Sequence, residues 1–334
     1  MQLPFHDEAA LRRVLTMRDA IEAMRSAFSQ LSAGEAVVPV RTGVQGGEAL
    51  ALFMPGWLPA ESALGAKVVT VAPGNLARGL PQIHAVILMI DAQTGRPKAL
   101  LDGTWLTALR TGAASGLATE LLARPEAEVL AVVGAGVQAR TQIQAVMEVR
   151  AIREVRVMSR SPESARELIA DFAAMRDAAA SPGEGHHGLW QARAAEALWS
   201  VSSSVEGLVD GADVVVTASS SSNPVLPDSL DPGTHVNAVG AYTTEMRELP
   251  TELVARSRLF VDQRGAALAE AGDLVIPIQE GRIDAGHIAA ELGEVVLGLH
   301  PGRENADEVT IFKSVGSAAQ DLAVATRALK LLSN

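Results

Sequence analysis

The chain has 334 residues, of which 48% are hydrophobic and 20% are charged. This length suits two globular domains, and this composition excludes a disordered chain. The formal net charge of -11 argues against nucleic-acid binding, which usually requires a basic surface.

Cysteines and long apolar runs are both missing from the sequence. The lack of cysteine excludes disulfides, thiolate catalysis and zinc–thiolate sites. No apolar run approaches the roughly 20 residues of a membrane span, and the first residues lack the apolar core of a signal peptide. These features predict a soluble, cytoplasmic protein that has neither a membrane nor a nucleic acid as its partner.

The first hundred residues predict a mixed α+β domain. Apolar side chains recur at helical spacing over residues 16–31, which predicts a helix. Short β-like runs bounded by glycine or proline follow and predict an antiparallel sheet with hairpins, at residues 49–54, 66–71, 84–90 and 98–102. Residues 104–123 predict a long helix that ends before Pro125.

From residue 126 the pattern changes to strands that alternate with helices, which is typical of a doubly wound parallel sheet. Apolar runs predict five strands, at residues 129–133, 155–158, 213–217, 235–239 and 259–262. Residues 176–197 show no pattern and are interpreted as a surface excursion. Residues 314–332 predict a final helix with a face of small side chains.

The segment LAVVGAGVQARTQ carries the strongest local signal in the chain. An apolar strand leads into the pattern Gly134-x-Gly136-x-x-Ala139, and a helix follows. The first glycine permits a tight turn, and the second lets the backbone approach a pyrophosphate at the helix N-terminus. The pattern predicts dinucleotide binding; the alternative is a glycine turn that serves only packing.

The end of the second strand indicates which dinucleotide is bound. An acidic residue there would bind the ribose 2′-hydroxyl of NAD, but this sequence has Ser159 and Arg160. A hydroxyl and a guanidinium suit a 2′-phosphate, so NADP is favoured over NAD. The alternative is that Arg160 only lies in solvent.

Three cationic residues lie among apolar or small neighbours outside the predicted dinucleotide domain. They are Arg41 in VVPVRTGV, Lys67 in GAKVVT and Arg110 in LTALRTGAA. Any one of them could form a structural ion pair, because a buried charge is costly unless it is paired. Together they favour a pocket for an anionic ligand, in which arginine binds a carboxylate and lysine moves a proton. No Ser–His–Asp order and no HExxH motif is present, so neither a hydrolase nor a metal site is predicted.

Along almost its whole length the chain resembles the ornithine cyclodeaminase/mu-crystallin family. The resemblance rests on the segments MPGW, GAKVVTV, LLDGTWLTALRTGAASGLA, VVGAGVQA, VRVMSRSPESA, GADVVVTASSS, HVNAVGA, REL and TIFKSVGSAAQDLA. It implies an α/β fold in which a Rossmann-type doubly wound parallel sheet is inserted in a mixed α+β domain. The Rossmann domain would cover residues 116–313. Residues 1–115 and 314–334 would form the substrate-binding and dimerisation domain of a homodimer.

The family pattern also implies roles for individual residues. Arg41 and Arg110 would hold the substrate carboxylate, and Lys67 would be the catalytic residue near the reacting carbon and its nitrogen. Tyr242 would lie in the substrate pocket.

For the cofactor, the family pattern points to two further segments. Val137 and Gln138 lie in the dinucleotide loop beside Gly134 and Gly136. Ser314 and Val315 would line the nicotinamide and substrate pocket, whereas the adjacent Lys313 could equally be a solvated residue at the start of a helix.

One departure from the family's ornithine-cyclising members concerns the reaction. Those members have an aspartate where this chain has Tyr242, and a lysine where it has Met246. Cyclodeamination needs a carboxylate to deprotonate the distal amine, and tyrosine is a poor base at neutral pH. Glu245 is close in sequence and could substitute.

The predicted function is therefore NAD(P)-dependent hydride transfer at the α-carbon of a small amino or cyclic imino acid, as in a ketimine reductase or an amino-acid dehydrogenase. Two alternatives stay open. One is ornithine cyclodeaminase, and the other is a mu-crystallin-like protein that binds NADPH and a small carboxylate with little turnover.

Overall fold

The computed structural model describes residues 3–179 and 188–333. The chain divides into two compact units, and each is described by itself. The terminal unit comprises Met1–Arg110 and Gly316–Asn334, and the central unit comprises Thr111–Val315. The predicted domain boundaries, after residues 115 and 313, lie a few residues from these.

The strands and helices of the described residues are numbered in chain order. The strands are β1 (Phe5–His6), β2 (Thr42–Gly46), β3 (Ala49–Leu58), β4 (Ala63–Val71), β5 (Ile83–Ile90), β6 (Pro97–Asp102), β7 (Val129–Val133), β8 (Glu154–Met158), β9 (Leu198–Val201), β10 (Val214–Thr217), β11 (His235–Ala238), β12 (Arg258–Val261), β13 (Ile288–Glu291) and β14 (Thr310–Lys313). The helices are α1 (Glu8–Val14), α2 (Met17–Ser32), α3 (Gly103–Leu122), α4 (Val137–Val149), α5 (Pro162–Ala179), α6 (Leu189–Glu196), α7 (Val205–Val209), α8 (Thr251–Arg256), α9 (Arg264–Glu270), α10 (Gly272–Gln279), α11 (Leu292–Val296) and α12 (Ala318–Leu332).

The terminal unit is built on a mixed sheet with the strand order β1-β6-β5-β4-β3-β2. Strands β2 to β6 pair with one another in antiparallel fashion, which confirms the predicted hairpins. Strand β1 runs parallel to β6. Helix α12 packs against α2 and against β3, β4 and β5. The predicted helix at residues 16–31 is confirmed as α2, which buries Ile21, Met24 and Phe28 completely.

The central unit is a parallel sheet with the strand order β13-β12-β14-β11-β10-β7-β8-β9. Every neighbouring pair of strands in it is parallel. Its middle strands are almost continuously apolar and buried, as expected of a sheet covered on both faces. The predicted combination of a doubly wound parallel sheet with a mixed α+β part is thus confirmed.

Two predictions of local structure were wrong. Residues 176–179 of the predicted patternless excursion are the end of α5, and residues 189–196 form α6. Trp190 of α6 packs edge-on against Phe172 of α5, with ring centroids 6.0 Å apart. Residues 180–187 of the excursion lie outside the described residues. The final helix begins at Ala318 and not at residue 314, because residues 310–313 are the buried strand β14 and Gly316 turns the chain with a φ of 81°.

Candidate active site

The loop between β7 and α4 requires its first glycine. Gly134 has a φ of 115°, and a Cβ atom there would lie only 2.5 Å from the carbonyl oxygen of Ala218. Any other residue would therefore be both strained and in a clash. Gly136 is the N-cap of α4; it makes no side-chain cap, and no atom lies within 4 Å of the place where a Cβ atom would stand. The first N–H groups of the helix can thus serve an anion.

A cleft of about 720 Å³ lies at the carboxyl ends of β7, β8 and β10. Its lining comes from three segments, residues 133–136, residues 158–161 and residues 218–221, together with Ser164 and Val225. The structure thus brings Gly134, Gly136, Ser159 and Arg160 together, as four of the predicted cofactor residues.

The other two residues of the predicted dinucleotide loop are placed differently. Val137 is 67% exposed and does not line the cleft. The Oε1 atom of Gln138 is buried and has no hydrogen-bond partner among the described residues. A buried acceptor of this kind fits a site that is completed by a ligand.

The end of β8 carries hydroxyl groups and one guanidinium. Ser159 Oγ donates to the carbonyl oxygen of Ser161 at 2.5 Å, and Arg160 is exposed at the cleft. No carboxylate lies among residues 158–161. This edge of the cleft is therefore suited to an anionic group.

A buried carboxylate that the sequence analysis missed holds two loops at the same edge of the sheet. Glu248 accepts hydrogen bonds from Ser219 N at 2.7 Å, from Ser219 Oγ at 2.8 Å and from Gly240 N at 2.7 Å. Burial raises the pKa of Glu248, and the nearby Lys313 ammonium opposes this rise. The Glu248 backbone N–H donates in turn to Asp273 at 2.7 Å.

Lys313 lies in the same buried network, so its interpretation as a solvated residue at the start of a helix was wrong. It lies on β14, is fully buried, and contacts Asp273 at 2.9 Å. Its Nζ also donates to the carbonyl oxygen of Ala241 at 2.6 Å, which fixes the backbone next to the half-buried Tyr242.

The residues after β14 are anchored by Asp262, at the end of β12. Asp262 Oδ2 accepts from Ser314 Oγ at 2.8 Å and from Val315 N at 3.0 Å. Ser314 and Val315 are both buried. The predicted pair of pocket residues is therefore rigidly held within the central unit.

The terminal unit contains a buried cluster of one carboxylate and two cations. Lys67 projects from β4, and its Nζ lies 2.6 Å from Oδ2 of Asp321 on α12. The Nε atom of Arg110, on α3, lies 3.1 Å from Asp321 Oδ1, and its Nη1 donates to Gln320 at 2.8 Å. The side chains of Lys67 and Asp321 are 1% and 0% exposed, so this ion pair is fully desolvated.

The surroundings lower the pKa of Lys67 to about 8. Burial is the largest cause, and the charges of Arg110 and Arg41 act in the same direction, whereas Asp321 opposes them. Arg41 is half-buried ahead of β2. A lysine with a pKa near the working pH can donate and recover a proton, and neighbouring guanidinium groups can bind a carboxylate.

Within the described ranges, no group of three or more histidine, aspartate or glutamate side chains is arranged to hold a metal ion. Over the same residues, no helix is both long enough and apolar enough to cross a bilayer.

The residues that the sequence analysis missed are acids in buried positions. They are Asp262, Asp273, Glu248 and Asp321. A usable signal was present for Asp321, because it is a lone acid among the small and apolar residues of the final helix. An acid in such a position is costly unless it is paired, so its presence predicts cations nearby.

Comparison with known proteins adds independent evidence. The model of the ornithine cyclodeaminase/mu-crystallin family matches residues 5–330. A Delta(1)-pyrroline-2-carboxylate reductase of Bacillus cereus is 38% identical over 317 residues, which cover 94% of this chain and 92% of that protein. The ketimine reductase mu-crystallin of Mus musculus is 35% identical over 308 residues, which cover 91% and 88%.

A solved structure is similar over nearly the whole chain. It is the Delta(1)-pyrroline-2-carboxylate reductase of Thermococcus litoralis in complex with NADH and L-proline. The TM-score is 0.89 at 37% sequence identity, and the match covers 98% of this chain and 97% of that one.

Proposed function

Because the chain belongs to the ornithine cyclodeaminase/mu-crystallin family, we propose that it reduces the C=N bond of a small cyclic imino acid with NAD(P)H. Delta(1)-pyrroline-2-carboxylate, which would yield proline, is the first substrate to test. Relatives named for this activity and for ketimine reduction are among the proteins that it matches.

The observation that carries this proposal is the buried Lys67–Asp321–Arg110 cluster. Lys67, with a pKa of about 8, is mostly protonated at pH 7 and can give its proton to the imine nitrogen. Arg110 and Arg41 would bind the substrate carboxylate, which fixes the imine carbon and nitrogen next to the acid. The presence of a buried, polarised lysine also argues against a protein that only binds its ligands.

The central unit would hold the cofactor. Gly134 and the uncapped start of α4 fit the pyrophosphate of a dinucleotide, and the unsatisfied acceptor Gln138 Oε1 fits a hydroxyl donor of the same ligand. When bound, the nicotinamide supplies the hydride. The chain's own contribution is to bind the dinucleotide through the loops at the sheet edge, which Glu248 and Asp262 hold in place.

The direct test of the proposal is a substrate panel. Purified protein is incubated with NADPH or NADH and with cyclic imino acids, while cofactor absorbance is followed and the amino acid product is identified. Consumption of cofactor with formation of proline or a ring homologue is expected. Stoichiometric binding of cofactor with no turnover on any imine would favour the binding-protein alternative.

Cofactor preference depends on Arg160, and we expect NADPH to bind more tightly than NADH. The guanidinium can pair with a 2′-phosphate, so Arg160→Asp should lower NADPH affinity about tenfold and reverse the order. Titration by nucleotide fluorescence measures both constants. Arg153→Asp, at the opposite end of β8, is the matched control and should leave the order unchanged. Equal affinities for the two cofactors in the wild type would refute this assignment.

The carboxylate-binding role of Arg110 and Arg41 predicts an effect on substrate affinity. A charge-assisted hydrogen bond contributes roughly 1.5–3 kcal/mol, so Arg110→Ala should raise KM for the imine by at least about tenfold. NADPH affinity should change little. Arg78→Ala, which removes an exposed arginine of the same unit, is the control. If Arg41→Ala and Arg110→Ala both fold and keep wild-type substrate kinetics, the carboxylate is bound elsewhere.

We further propose that the protein is a homodimer, as the family resemblance implies. Val44 and Phe53 share one face of the β2–β3 hairpin and are 51% and 42% exposed. Strand β2 is the last strand of its sheet among the described residues. An exposed apolar edge of this kind is usually covered by another chain.

We also propose a cytoplasmic location. The absence of cysteine agrees with a reducing compartment.

A further inference from the structure

Asp321 is a fully buried carboxylate on a helix that is otherwise packed against apolar strands. Its neighbours in the sequence, Leu322 and Ala323, are buried too, and α12 contacts β3, β4 and β5. A carboxylate in such a place is costly unless cations and hydrogen bonds compensate it. The structure supplies two cations for this purpose, Lys67 and Arg110.

The two oxygens of Asp321 are divided between the two cations. Oδ2 contacts Lys67 Nζ at 2.6 Å, and Oδ1 contacts Arg110 Nε at 3.1 Å. The Nη1 atom of Arg110 donates to Gln320 at 2.8 Å. It also lies 2.6 Å from where a Cβ atom of residue 316 would be, and residue 316 has a φ of 81°, which favours glycine. One carboxylate therefore fixes the separation of the lysine and the arginine.

The charges around Lys67 come from three other segments of the terminal unit. Arg110 on α3 and Arg41 ahead of β2 both lower its pKa, as does burial. Asp321 on α12 is the charge that opposes them. Without this carboxylate, burial and the two guanidinium groups would lower the pKa of Lys67 further.

We propose that Asp321 is a positioning residue of the reaction, which fixes Lys67 against Arg110 and keeps the lysine protonated at neutral pH. This rests on the proposed function, in which protonated Lys67 is the proton donor to the imine. Reduction then slows as the pH rises and Lys67 loses its proton. Asp321 would set the pH at which this occurs.

The first test is the pH dependence of kcat/KM for imine reduction in the wild type and in Asp321→Asn. The wild type should lose activity above about pH 8, and Asp321→Asn should lose it at least one pH unit lower. At pH 7 the variant should be slower by about twofold if the pKa of Lys67 falls by one unit and by about tenfold if it falls by two, with recovery at pH 6. The control is Asp19→Asn, because Asp19 on α2 pairs with Arg327 on α12. This substitution weakens another ion pair of α12, and the variant should lose activity at the same pH as the wild type.

The second test does not depend on activity. The chain has only four lysines, so protein labelled with ¹³C at lysine Cε gives four signals, and Lys67→Met identifies the signal of Lys67. We expect the Lys67 signal to titrate near pH 8 in the wild type and at least one unit lower in Asp321→Asn. An unchanged titration in a folded Asp321→Asn protein would overturn the proposal.

Two results would require a further variant or measurement: an Asp321→Asn protein that does not fold, and a wild type that reduces no imine. If Asp321→Asn does not fold, Asp321→Glu decides: it keeps the charge, so Lys67 should titrate as in the wild type while kcat/KM falls at every pH because the lysine is displaced. A large shift of the titration in Asp321→Glu would contradict the proposal. If the wild type reduces no imine, the proposed function fails, and the lysine titration still decides whether Asp321 controls Lys67.

Discussion

Replacing Lys67 with methionine is expected to lower kcat for imine reduction about 10²–10⁴-fold, which is the usual contribution of a positioned general acid. The methionine side chain is of similar length and is tolerated in a buried site, but it cannot donate a proton. Single-turnover oxidation of bound NADPH measures the chemical step directly. Cofactor affinity, which depends on the central unit, should stay within about twofold of the wild-type value.

The matched control for this substitution is Lys98→Met, which removes an exposed lysine from β6 of the same sheet. It should behave as the wild type in every assay. A Lys67→Met protein that folds and retains a tenth or more of the wild-type rate would show that the proton comes from another group or from water.

Reduction of Delta(1)-pyrroline-2-carboxylate is expected to be at least a hundredfold faster than formation of proline from ornithine. Ornithine must lose a proton from its distal amine before that amine can attack, and a general base typically contributes 10²–10⁴-fold to such a step. The family resemblance implies that Tyr242 occupies the position at which cyclising members have an acid, and tyrosine, with an ordinary pKa of about 10, is mostly a hydrogen-bond donor at neutral pH. A preformed cyclic imine needs only hydride and a proton.

Glu245 is the remaining acid that could serve ornithine. Its side chain is exposed, and a hydrogen bond from Thr244 is the largest cause that lowers its pKa. It is therefore ionised but solvated, which makes it a weak base. Measuring both rates on one preparation decides the question. Efficient release of ammonia from ornithine with a catalytic amount of cofactor would favour the namesake activity of the family.

Residues in sequence-local patterns were predicted well. Gly134 is required by the backbone geometry of one turn, and Gly136 leaves open space at the start of the helix that follows. An apolar strand before this pair and a helix after it suffice to indicate that turn. The hairpins of the terminal unit follow from short β-like runs bounded by glycine or proline. In both cases the determining interactions join residues that are close in the sequence.

Only the tertiary structure decided the partners of the buried charges. Lys67 and Arg110 were identified as unusual cations, but the carboxylate that pairs with both lies 211 residues beyond Arg110. Lys313 was ambiguous for the same reason: a four-residue strand that ends in lysine has no pattern of its own, and its burial depends on Asp273 from another element. Composition and periodicity report which residues prefer to be buried. They do not report which opposite charge will compensate a buried charge, because that depends on how distant elements pack. The attraction between two charges offsets the cost of their desolvation only when both are buried next to each other.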